Sequence, residues 1–114
     1  MKTILTSLVI FFAISASAQS KVSTPDPKKK IQVVEASCGQ CKFGMSEKKG
    51  CDLAVRINGK AYFVKGTGIN DHGDAHADDG FCESIRKAEV QGEIVDNKFV
   101  ATYFKLLPDP KKTD

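Results

Sequence analysis

Four cysteines carry the chemistry this sequence could perform. Cys38 and Cys41 stand with two residues between them in Cys38-Gly39-Gln40-Cys41-Lys42-Phe43-Gly44-Met45, Cys51 closes that stretch, and Cys82 ends a second polar run that starts at Asn70. A thiol in such a setting can pair in a disulfide, bind a soft metal or attack another disulfide. The first reading is a disulfide framework that pins the loop before the first hairpin; four cysteines allow three pairings, and spacing does not choose among them. The second is a metal site. Cys-x2-Cys with two further cysteines makes a tetrahedral all-cysteine zinc site, and thiolates also suit Cu(I). His72 and His76 add donors at i and i+4, which would share a face if a helix began early enough, and Met45 offers a thioether.

Each reading has a counterweight. Cys41 to Cys51 to Cys82 lacks the second Cys-x2-Cys of a zinc ribbon, and turn and cap roles account for Asp71, Asp74, Asp78 and Asp79 as well as metal binding does. Oxidation would also compete for the ligands, so disulfides rank ahead of metal. The third reading is thiol–disulfide redox through Cys38 and Cys41. It needs a helix N-terminus to lower the first thiol's pKa, and Lys42-Phe43-Gly44-Met45 does not promise one. No phosphate-cradling loop is present, since Gly66-x-Gly68 lacks the rest of that motif. Asp71-His72 with Cys82 suggests no catalytic geometry. A binding or structural module is favoured over an enzyme.

The oxidation argument depends on compartment. Met1-Lys2, an apolar run over residues 4–14 and Ala16-Ser17-Ala18 form the pattern of a secretory signal cleaved after Ala18. The run is shorter than the ~20 residues of a membrane-spanning helix, so no transmembrane segment is expected after cleavage. The expectation is a periplasmic or secreted protein, of monomer size and small enough to need covalent or metal staples. The formal charge of +3 gathers in Lys28-Lys29-Lys30 and Lys111-Lys112. These runs read as solvated ends, and no basic stripe interleaved with aromatics indicates nucleic acid.

The scaffold that must position the cysteines reads as mostly β. Residues 19–30, with Pro25 and Pro27, form a flexible leader; residues 31–107 form one domain and 108–114 a tail. A strand runs into Cys38. Leu53, Val55 and Ile57 alternate up to Asn58-Gly59, and Ala61-Tyr62-Phe63-Val64 returns: a hairpin with a type I′ turn. Ala77, Phe81, Cys82 and Ile85 fall on one face of an expected helix from about Asp74 to Arg86, with Arg86 and Lys87 at its C-terminal end. A second hairpin turns at Asp96-Asn97, and Gly92 marks a bend or bulge. The order β-β-β-α-β-β is that of an OB-fold, so the fold class is α+β, mostly β: a small five-stranded OB-like barrel or curled sheet with one helix. Tyr62 is the one aromatic placed to stack a ligand on such a barrel, against an ordinary packing role.

The strings CGQCKFGM, GCDLAVRINGKAYFV and GINDHGDAHADDGFC resemble a family of small exported bacterial proteins that carries only a domain-of-unknown-function label, over roughly residues 34–107. The resemblance implies no activity. The cysteine pattern and the last hairpin are also similar to exported OB-like proteins with cysteine clusters, which implies the fold.

Overall fold

Alternation of apolar and polar side chains decides the strands. The computed structural model describes residues 22–110, so the expected signal, residues 1–18, and residues 111–114 of the expected tail lie outside the described residues. Among the described residues five strands form, β1 (Gln32–Cys38), β2 (Leu53–Ile57), β3 (Lys60–Lys65), β4 (Arg86–Val95) and β5 (Lys98–Leu106), with one short helix, α1 (Gly39–Lys42). They close into a barrel in the order β1-β2-β3-β5-β4, β4 pairing back onto β1. All pairs are antiparallel except β3 with β5, which run parallel. A closed barrel of this order is OB-like and leaves no free sheet edge.

Both expected turns form. Asn58 (φ 51°) and Gly59 (φ 83°) join β2 to β3, and Asp96 (φ 51°) and Asn97 (φ 62°) join β4 to β5. Positive φ at both central residues is the type I′ geometry whose twist matches paired strands. The bulge falls where expected, with the β4–β5 register shifting between Gln91 and Gly92. Inward residues of four strands meet in one core: Val34 and Ala36, Leu53 and Val55, Ala88 and Val90, Phe99, Ala101 and Phe104, joined by Phe81, with half-buried Val64 of β3 packed against it. Tyr62 packs against this core rather than standing free, with the Lys60 ammonium 5.1 Å from its ring centre.

The helix is not where its apolar face suggests. Instead of a helix from Asp74 to Arg86, residues 70–85 form consecutive turns, with Ala77 N–H donating to Asp74 O (3.2 Å), Gly80 N–H to Ala77 O (2.8 Å) and Glu83 N–H to Gly80 O (3.1 Å). Two forces defeat the helix. Gly80 brings its backbone against the Asp74 and Ala75 carbonyls, so closely that a Cβ would collide with them. At the other end, Arg86 is drawn into β4 opposite Ala36. Its buried guanidinium donates to Asp79 O and Leu107 O, both at 2.6 Å, so it holds a loop against the barrel instead of ending a helix. Helix propensity is a weak prior, and tertiary pairing overrides it here.

The segment expected as a flexible leader is also held from Val22 onward. Val22 is buried, and its carbonyl accepts from Phe104 N–H at 3.0 Å. Gln91, buried on β4, donates through Nε2 to Asp26 O (2.9 Å) and Lys29 O (2.8 Å), and its Oε1 accepts from Asp26 N–H (2.7 Å). A buried amide demands partners, and the backbone turn at 26–29 supplies them. Among the described residues no helix is long and apolar enough to cross a membrane.

Candidate metal centre

Three separate segments deliver the four sulfurs to one point on the barrel rim. Cys38 is the last residue of β1 and leads directly into α1, whose single turn carries Cys41. Residues three apart on one helical turn lie on the same side, so Cys-x2-Cys presents both thiols together. The turn forms because its neighbours demand it. A Cβ on Gly39 would meet Met45 Sδ and Phe63 Cε1 at 2.8 Å and Ala54 Cβ at 3.1 Å, so only glycine lets the turn lie flat on the β2–β3 hairpin. Met45 is thus a packing residue: its N–H donates to Gly39 O (3.1 Å) and its sulfur closes over Gly39. Phe43 lies under the Arg56 guanidinium (4.8 Å to the ring centre), which pairs bidentately with Glu35 at 3.2 and 2.8 Å. Arg56 holds the Glu35 carboxyl below its ordinary range, chiefly through these hydrogen bonds.

Cys51 arrives through β2. Cys38 faces Leu53 in the β1–β2 register, and Gly39 N–H donates to Asp52 O at 2.9 Å. Gln40 reinforces this tie from both ends of its amide: Oε1 accepts from Asp52 N–H (2.9 Å) and Nε2 donates to Asp52 Oδ2 (2.7 Å). The Gln40 bond keeps the Asp52 carboxylate below the usual range against the opposing effect of burial, with help from Lys48 at 3.3 Å. Cys82 arrives from the turn-rich loop. Phe81 O accepts from both Cys38 N–H (2.9 Å) and Ser37 Oγ (2.6 Å), Ser37 Oγ also lies 2.7 Å from Ser84 O, and Cys82 N–H donates to Ala75 O (2.9 Å). Ser37, fully buried though polar, is the bolt that fastens this loop to β1.

The result is a compact cluster. The Sγ atoms of Cys38, Cys41, Cys51 and Cys82 all lie within 4.8 Å of one another. Cys51 Sγ is 2.6 Å from Cys38 Sγ and 2.9 Å from Cys82 Sγ, and all four are free thiols. Their electrostatics are unequal. Burial works to raise the Cys38 thiol, but hydrogen bonds from the Cys51 and Cys41 side chains and the Cys41 and Gln40 backbone outweigh it and leave it below the ordinary value. Cys51 is pushed well above it, by burial first and then by hydrogen bonding to Cys38 and Cys82. Cys41 is raised through its hydrogen bond to Cys38. One thiol in the group is thus set to ionise first, stabilised by its neighbours' protons.

The histidines are not brought to this point. The metal-sized group among the described residues consists of the four cysteines, without His72 or His76. With no helix over 74–86, the i, i+4 spacing loses its shared face. The His72 ring sits 4.5 Å from Phe104 and 6.2 Å from Phe81, centre to centre, with Nε2 2.7 Å from Thr67 Oγ1. Burial lowers its pKa, opposed by Asp71. It lines a cavity of about 150 Å³ with Asp74, Asp79, Phe81, Arg86 and Leu106. His76 is exposed, its N–H capped by Asp74 Oδ1 at 2.9 Å.

Gln40, Asp52 and Ser37 position the cysteines and were not singled out by sequence reasoning. Their one sequence signal is adjacency, since each directly precedes or follows a cysteine. A family model described as "Family of unknown function (DUF6370)" matches residues 32–107. No curated protein and no solved structure matches the chain.

Proposed function

We propose that this chain, which belongs to the DUF6370 family of unknown function, is a small OB-like module that binds one thiophilic metal ion through Cys38, Cys41, Cys51 and Cys82. One observation carries the reading: four sulfurs from three segments converge within 4.8 Å. A tetrahedral zinc site with Zn–S near 2.3 Å has sulfurs about 3.8 Å apart, so slight outward movement of the closest pairs would seat the ion. Zn(II) is the first choice, because four thiolates in a tetrahedron are its structural coordination; Cu(I) is the alternative soft ion. Once bound, the ion would fasten the end of β1, the start of β2 and the 70–85 loop together. The chain's own contribution is to hold the thiolates in place. Gln40 and Ser37 orient the segments through Asp52 and Phe81, and backbone N–H groups at Gln40 and Cys41 favour the ionised Cys38 sulfur.

The disulfide framework stands second. Cys51 Sγ touches both Cys38 and Cys82 and can bond to only one of them, so the cluster suits one shared ion better than two separate pairs. With the expected signal removed, the module would work outside the cytoplasm as a metal-stapled binding or structural protein.

Cobalt substitution tests the reading. Co(II) added to the reduced chain is expected to give the strong visible d–d bands of a tetrahedral site and sulfur-to-metal charge transfer, saturating at one equivalent. Cys51→Ser should abolish both features and His76→Ala should leave them unchanged. Weak octahedral bands without charge transfer would overturn the reading.

A further inference from the structure

We infer that Cys41 is the exchangeable ligand of this centre, through which the ion is handed to an incoming thiolate donor; the inference rests on the metal reading above. The four sulfurs differ in how the fold holds them. Cys38 is fully buried at the end of β1, whereas Cys51 and Cys82 are half-buried beside backbone tied by Asp52 and Ala75. Cys41 alone among them is exposed, on a helix of a single turn. Next to it lies an open depression of about 340 Å³ lined by Lys42, Glu83, Ser84, Ile85 and Asp109. None of the four cysteines lines it, but Lys42 and Glu83 directly follow Cys41 and Cys82 in the chain. Of the four sulfurs, the exposed Cys41 is the one an incoming donor can reach.

The step is a ligand exchange. A bond forms between the metal and the incoming thiolate as the bond to Cys41 Sγ breaks, and Cys41 leaves as a thiolate that takes a proton from water. The oxidation state of the metal does not change, and Cys38, Cys51 and Cys82 hold the ion meanwhile. Structural sites are closed and four-coordinate, and here one of the four ligands stands open to solvent.

The test uses the full chain loaded with Zn(II). Limiting N-ethylmaleimide, followed by peptide mapping, should modify Cys41 about tenfold faster than the other three cysteines, as thiol reactivity follows exposure. In Cys41→Ser the ion should still bind, and its release to a competing dithiol should speed up by about tenfold through loss of one thiolate. Equal protection of all four cysteines in a protein that does bind zinc would overturn the exchange inference alone, as would Cys82 reacting first or release from Cys41→Ser at the parent rate. A chain that takes up no metal would overturn the metal reading and this inference together.

Discussion

Residues 38–52 and 70–80 are the two regions of this chain rich in metal-binding side chains, and they end in opposite states. In the first, two of the three sulfurs are carried by backbone that is paired or clamped, Cys38 by β1 and Cys51 by the Gln40–Asp52 pair, and Cys41 follows on the single turn of α1. In the second, Asp71 and Asp74 spend oxygens on local N–H groups, at Gly68 (2.8 Å) and His76 (2.9 Å), and His72 packs on Phe104. The first region converges and the second spreads. Residue type and spacing were promising in both. Convergence came from the elements that carry the side chains, and aspartates that cap their own turns are no longer free to serve a shared ligand.

Breaking the convergent region should have the largest effect. Cys51→Ser removes the sulfur that contacts two others, and metal binding should fall below detection by titration. The same variant forfeits the stabilisation that a bound ion lends the fold, about 3 kcal/mol at free metal a hundredfold above Kd, which thermal melts with and without chelator will report. Gln91→Ala removes the side-chain partner of Lys29 O and Asp26 N–H and one of the two donors to Asp26 O, which keeps Lys29 N–H. A loss of about 2–3 kcal/mol in urea unfolding is expected, with faster proteolysis near residues 22–30 and no change in metal affinity.

Ser37→Ala sharpens the comparison, because it loosens the hold of residues 81–84 on β1 while leaving the Cys38 N–H bond to Phe81 O in place. The Phe81 and Ser84 carbonyls lose a hydroxyl donor, for about 1–2 kcal/mol, and metal affinity should drop about tenfold as Cys82 gains freedom. The smallest effect belongs to His72. Its folded pKa lies below the ordinary 6.5 because of burial, so below that pH the unfolded chain binds the proton more readily than the fold does. Stability is therefore retained above pH 6.5 and lost as pH falls from there through the lowered folded value. His72→Gln should remove that part of the pH dependence, seen as a difference between the two unfolding curves, and leave metal binding intact.

Much of the barrel was legible because its signals are local. Asn58-Gly59 and Asp96-Asn97 demanded positive φ, Gly92 marked the bulge, and alternating apolar residues set the faces of β2 and β5. The position of the helix was not, since Ala77, Phe81, Cys82 and Ile85 satisfy a helical period while their neighbours forbid the helix. Phe81 enters the core, Cys82 joins the sulfurs and Ile85 stays exposed. Gly80's contact with Asp74 and Ala75, like the pairing of Arg86 with Ala36, is a tertiary event with no local signature. The same holds for Gln91, which reads as an outward strand residue and is buried by a turn far away in sequence. The cysteines were legible as candidates, but the meeting of Cys82 with Cys38 depends on Ser37 and Phe81.

The central claim is that one metal ion holds four thiolates, and intact mass tests it most directly. The reduced, metal-loaded chain should show one zinc or copper adduct under native conditions, lost on denaturation, with all four cysteines then open to alkylation. A chain purified without metal, lighter than its reduced mass by about four hydrogens as two disulfides require, and unable to take up metal after reduction, would contradict it.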